Sequence, residues 1–139
     1  MIVNWATTAL SLVALLSFAA GASAQPRYKL DKTRTKVVAL SGLGSGDPCL
    51  PDRLSGRIAS VQYAANGVAL ESFALEGKDG SRDLINVDLE NIRSADMVTI
   101  GYVAQGLEHF IRKGKRVTIG VLLCGAAGRV IMLDSVGGK

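Results

Sequence analysis

Histidine occurs once in this chain, as His109, and cysteine only twice, as Cys49 and Cys124. That scarcity removes several chemistries at the outset. Structural zinc sites are usually four-coordinate through Cys and His, more ligands than the chain can supply. His109 has no paired acid or nucleophile in its pattern, so it reads as a surface or satisfied helical histidine and not as a general base. Ser41, Ser45, Ser55 and Ser135 lack the G-x-S-x-G setting of an activated serine. Aromatic residues are few as well: after Ala24 only Tyr28, Tyr63, Phe73, Tyr102 and Phe110 remain. Barrels that bind single strands stack bases on exposed rings. Here Tyr63 and Phe73 offer the one such face, and they fit a core equally well.

Long uncharged apolar runs are absent after Gln25, but one stands before it. Ala6–Ala20 carries no charge, and Ala22-Ser23-Ala24 ahead of Gln25 fits the small-x-small site of a signal peptidase. Residues 1–24 are therefore expected to be a cleaved signal peptide. The rival reading is a retained anchor, because Met1–Trp5 has no Lys or Arg and the run approaches the roughly 20 residues that span a bilayer. Cleavage leaves no stable membrane span, one domain's length of chain, and a periplasmic or secreted location. In such an oxidising compartment two cysteines favour a bridge, and Cys49–Cys124 is the one intramolecular pairing. Closing that loop is worth roughly 4 kcal/mol on chain-entropy grounds.

The net charge is +4, modest but unevenly spread. Arg27, Lys29, Lys32, Arg34 and Lys36 crowd residues 25–36 against a single Asp31. Arg112, Lys113, Lys115 and Arg116 form a second basic cluster, while Glu71 to Asp96 runs acidic. Basic clusters steer anionic partners, so the expected partner is an anionic ligand, with Lys115, Arg116 and Arg129 as its binding residues. The other partner class is an envelope protein contacted through the basic arm.

Residues 25–53 read as that arm followed by a Gly/Pro-rich tethered loop, and residues 54–136 as the domain body. Leu40–Cys49, LSGLGSGDPC, has the glycines of a phosphate cradle, but Pro48 and Pro51 follow where a cradle needs a helix N-terminus. The stretch reads as slack that lets Cys49 reach Cys124. Strands are expected over Gly56–Ala64, with Ala59, Val61 and Tyr63 in one phase, then Val68–Glu76 after the Asn66-Gly67 turn, then Arg82–Val87 after Gly77–Gly80. The period then changes. Met97, Ile100, Ala104, Leu107 and Ile111 mark one helix face, with Ser94 as N-cap. Gly101 and Gly106 inside it point to a kink or to close approach of a strand. Strands Arg116–Leu123 and Arg129–Val136 complete the order, with Val117, Ile119, Val121 and Leu123 in phase. Three meandering strands, a helix and a hairpin give a mostly β chain, a small five-stranded OB-like Greek-key barrel with its helix between strands three and four. An open α+β antiparallel sheet is the alternative, disfavoured because flat sheets leave exposed edges.

Within that order, Val87-Asp88-Leu89-Glu90, Lys113-Gly114-Lys115-Arg116-Val117 and Gly128-Arg129-Val130 resemble short motifs of staphylococcal-nuclease-like OB domains. The resemblance implies a calcium-dependent nuclease chemistry with Asp88, Glu90 and Arg129 as candidate catalytic residues. The carry-over is incomplete. Glu90 sits one place early, the first-hairpin carboxylates would fall at Ala65-Asn66-Gly67, and the strand-three arginine would fall at Asp83. Arg82 is one residue out of phase, on the other face of the strand. Calcium takes six to eight oxygen ligands, and phosphodiester cleavage needs charge stabilisation by metal and arginine together. The expectation is therefore an exported binding module without catalysis and without a cofactor, a degenerate or unusual calcium-dependent nuclease being the alternative.

Overall fold

The structure, a computed structural model, describes residues 25–46, 49–65, 67 and 69–138. The expected signal peptide, the Asp47-Pro48 pair of the glycine loop, and Asn66 of the Asn66-Gly67 turn lie outside the described residues. Among the described residues, seven strands and two helices follow in order: β1 (Arg27–Leu30), β2 (Val37–Ser41), β3 (Cys49–Tyr63), β4 (Leu70–Glu76), β5 (Arg82–Asn86), α1 (Leu89–Arg93), α2 (Met97–Phe110), β6 (Arg116–Cys124) and β7 (Val130–Gly137).

β3 is 15 residues long and serves two partners. Residues 49–57 pair with β6 and residues 57–63 with β4, both antiparallel. Gly56 stands at the bend between them, where a Cβ would strike the Glu76 carbonyl, the corner role that glycine takes in barrels. β4 pairs with β5, β5 runs parallel to β7, and β7 returns to β6. The ring β3-β4-β5-β7-β6 is thus closed, as the expected barrel requires, and the open-sheet alternative is excluded. Ile58, Phe73, Ile85, Ile119, Val121 and Leu133 fill its centre, each essentially inaccessible.

The phase expected for the first barrel strand is corrected by the structure. Val61 packs against the core as expected, but Ile58 also points inward, because β3 carries an extra residue between Ile58 and Ser60, and Tyr63 at the strand's end is 46% exposed. That extra residue turns the following β3 side chains to the opposite face; the second shift, between Gln62 and Tyr63, adds Glu71 to β4 and leaves the β3 phase unchanged. On β6 the expected phase holds: Ile119 and Val121 are buried, with Val117 and Leu123 packed against the core.

Residues 25–53 also differ from expectation. β3 begins at Cys49, so the barrel takes in residues assigned to the loop, and the basic arm is a β1–β2 hairpin. The hairpin forms because Tyr28, Leu30, Val37 and Leu40 give it an apolar side, and because Asp31 ties its turn. The Asp31 carboxylate accepts from the Thr35 N–H at 2.9 Å and from the Lys36 N–H at 3.2 Å. These backbone bonds, the Thr35 one foremost, hold its carboxyl below the usual carboxylate range. β2 joins the barrel through Leu40 opposite Val136 and Ala39 opposite Gly137.

α2 packs chiefly on this hairpin. Tyr28 stacks on Tyr102 at 4.5 Å between centroids. Gly106 lies so close to β2 that a Cβ would sit 2.9 Å from Leu40 and 3.0 Å from Val37, which explains a glycine inside a helix. The helix face is accordingly rotated from the expected one. Val103, Gly106 and Leu107 are buried, whereas Met97 is 82% exposed. The N-cap is Asp96, which accepts from the Thr99 N–H at 2.8 Å; Ser94 instead ends α1.

Candidate functional site

Asp88, the carboxylate singled out after the third barrel strand, caps α1 by accepting from the Asn91 N–H at 3.1 Å. Its other oxygen accepts from the Ser45 hydroxyl at 2.6 Å and from the Ser45 N–H at 3.3 Å. Asn91 completes the grip, its amide donating to the carbonyls of Gly42 at 3.0 Å and Leu43 at 2.9 Å. On the far side, Leu43 N–H donates to the Asp134 carbonyl at 3.0 Å, and Gly44 N–H to the Asp134 carboxylate at 3.3 Å.

The glycine loop is therefore a bound strap and not slack chain. Leu43 is fully buried, plugged into the core beside β7. A Cβ on Gly44 would lie 2.9 Å from Leu122, and one on Gly46 would lie 3.0 Å from the Cys49 sulfur. The strap delivers the chain to the Cys49–Cys124 disulfide, whose cysteines face each other directly across β3 and β6. The glycines serve close packing.

The other nuclease-motif residues are dispersed. Glu90 is exposed in the first turn of α1 and makes no side-chain hydrogen bond among the described residues. Arg129 follows the short 3-10 turn Ala126–Gly128 at the opposite end of the β5–β7 pair. Ile85 faces Ile131; Arg129 precedes that rung by two residues and Asp88 follows it by three, an offset of roughly 16 Å at the rise of a strand. Among the described residues no group of three His, Cys, Asp or Glu side chains gathers where a cation could be held. No helix among them is long and apolar enough to cross a membrane.

Of the expected anion-binding residues, Lys115 is tied to the end of α2. Its ammonium donates to the His109 carbonyl at 3.0 Å and sits 5.6 Å from the Phe110 ring centroid. Arg116 is exposed and lies in a different setting. It faces Arg57 directly across β3 and β6, Arg57 faces Glu76 across β3 and β4, and Glu76 faces Arg82 across β4 and β5. Opposed residues project from the same face of a sheet, so Arg82, Glu76, Arg57 and Arg116 form one row around the barrel. Arg82, expected to lie out of phase with the nuclease pattern, is on this outer row.

Glu76 accepts from Arg82 at 3.0 Å and from Arg57 at 3.3 Å. Those bonds, Arg82's first, hold its carboxyl below the usual carboxylate range. One carboxylate thus serves two guanidinium groups, and Arg116 has no ion-pair partner among the described residues. Like charges placed directly opposite each other on a sheet are destabilising. Arg57 and Arg116 stand so opposed with Glu76 on one side only. Sequence reading found Arg116 but missed Arg57 and the strap residues Asn91 and Asp134. The row is visible only once the register is known, and α1 is too short to carry a 3.6-residue period.

No family model, curated protein or solved structure matches the chain.

Proposed function

We propose that this chain is an exported, non-catalytic binding module that holds an anionic polymer across the row Arg82, Arg57 and Arg116. The observation that carries the reading is the directly opposed Arg57–Arg116 pair, a concentration of positive charge that only one carboxylate offsets. An anion lying between two guanidinium groups removes their mutual repulsion and gains charge-assisted hydrogen bonds in return. The row crosses β4 and β5, the strand pair that OB barrels use for oligonucleotides and oligosaccharides. Export is supported by the apolar run and small-x-small site ahead of Gln25 and by the disulfide. No aromatic side chain belongs to the row, which favours recognition of phosphate, sulfate or carboxylate groups over base stacking.

The test is binding of a single-stranded oligonucleotide and of a sulfated polysaccharide over a range of salt concentrations, with and without calcium. Replacing Arg57 and Arg116 by Gln is expected to weaken both and, for the oligonucleotide, to reduce the salt slope by roughly 1.4. Unchanged binding by that variant refutes the reading. Cleavage of the oligonucleotide that needs calcium and is lost in Arg129→Ala would replace it with the staphylococcal-nuclease-like alternative through Asp88, Glu90 and Arg129.

A further inference from the structure

α2 leans on the β1–β2 hairpin, so it does not seal the end of the barrel. Between α1, α2 and the start of β4 this leaves a cavity of about 520 Å³, within the range of small-molecule sites. Its walls are mostly apolar: Tyr63, Leu70, Ile92, Ile100 and Leu107 come from strands and helices, and Gly67 and Ala69 from the turn between β3 and β4. Ile92, Leu70 and Leu107 are nearly buried, so the cavity reaches the core, while Tyr63 at the rim is half exposed. Ile100, Ala104, Leu107 and Ile111, four members of the expected apolar helix face, line this space.

Two charges border it. Arg93 ends α1 beside the Ile100 end, is exposed, and has no hydrogen-bond or ion-pair partner among the described residues. Glu108 lies two turns along α2 from Ile100, about 12 Å away, at the other end. The polarity of the lining is therefore graded along α2: a lone cation toward its N-terminus, apolar side chains between, and a carboxylate that disfavours an anion toward its C-terminus. We infer that this cavity takes an anionic amphiphile, its apolar chain lying along α2 between Tyr63 and Leu107 and its carboxylate at Arg93. The site is separate from the arginine row and stands whether or not that row binds a polymer.

Backbone-amide NMR titration of the purified protein tests this with decanoate and octanoate below their micellar concentrations and 1-octanol below its solubility limit. Decanoate is expected to shift the amides of Leu70, Ile92 and Ile100 saturably. Octanoate should bind roughly fifteenfold more weakly, two methylenes fewer at about fourfold each. 1-Octanol should bind more weakly than octanoate to the native protein, and Arg93→Gln should bring the two to the same affinity. Ile100→Arg, a change at a half-exposed wall position, should abolish binding with the amide spectrum otherwise folded. The Arg57→Gln/Arg116→Gln variant should bind decanoate as the native protein does; loss there would assign the anion to the row and overturn the cavity site. Saturating decanoate without shifts at the cavity amides, no dependence on chain length, or equal affinity for octanoate and octanol in the native protein would also overturn it.

Discussion

Replacing Asp88 by Ala separates its two readings, catalytic carboxylate or structural clamp. The substitution removes the α1 cap, worth about 1 kcal/mol, and two hydrogen bonds from Ser45 to a charged acceptor, roughly 1.5 kcal/mol each when fully protected. Ser45 is exposed, so water recovers part of the second contribution. The net cost is about 2–3 kcal/mol, which at this chain length lowers Tm by roughly 8–12 °C. Ser45→Ala alone should cost about 1 kcal/mol. The double variant should show a coupling of at least roughly 0.5 kcal/mol, because the two side chains act on each other. Thermal unfolding followed by circular dichroism gives all four corners of the cycle. An additive cycle, or an Asp88→Ala protein as stable as the native one, refutes the clamp.

Three further outcomes follow from the packing and the caps. Loss of the disulfide in Cys49→Ser/Cys124→Ser should cost about 4 kcal/mol for a sequence separation of 75, measured by urea unfolding; a change under about 1 kcal/mol would show that the reduced chain is already constrained. Gly106→Ala should destabilise by about 1 kcal/mol net, the clash with Leu40 and Val37 outweighing the gain in helix propensity, whereas Gly101→Ala, whose Cβ meets nothing, should stabilise by up to about 1 kcal/mol; melts of the two variants shifting in the same direction would contradict the placement of α2. Bonds from Thr99, its N–H first, hold the Asp96 carboxyl below the usual carboxylate range. Its stabilising contribution is therefore complete above the unfolded pKa and is lost as pH falls through the folded one. Tm should drop on acidification through and below the carboxylate range, and Asp96→Asn, which caps without titrating, should flatten that slope; an unchanged slope would remove Asp96 from the account.

The barrel was legible because its strands alternate and its turns carry Gly77–Gly80 and Asn66-Gly67 signals. Register was not. One extra residue in β3, between Ile58 and Ser60, and one in β4, between Leu70 and Ser72, shift the pairing, and no residue type in either stretch announces them. The hairpin at residues 27–41 was hidden by its charge: Arg27, Lys29 and Lys36 suggest a solvated arm, while the apolar positions Tyr28, Leu30, Val37 and Leu40 gain meaning only beside α2. Cys49–Cys124 was readable from compartment and count alone. Of the site residues, Asp88 was singled out for a nuclease pattern, whereas its hydrogen bonds to Ser45 and Asn91 give it a structural task. Arg57 was missed because its neighbours lie 19 and 59 positions away in register with Glu76 and Arg116, a separation that no local pattern carries.

β2 is seated on β7, Leu40 against Val136. Among the described strands, one that leaves a ribosome early is thus completed by the one that leaves last. Until residues 136–137 emerge, the hairpin has no sheet to join, α2 has no finished floor beneath Gly106, and the strap at Gly42–Gly46 lacks its anchor on Asp134. Local order can form early in the β3–β4–β5 meander, whose pairings are short in sequence. The seating of the hairpin and of the strap must wait for β7, since non-local contacts carry the cost of closing long loops before they are rewarded. During that interval the edge of β2 that pairs with β7 remains open. For this fold, the vulnerable moment is set by the order of emergence.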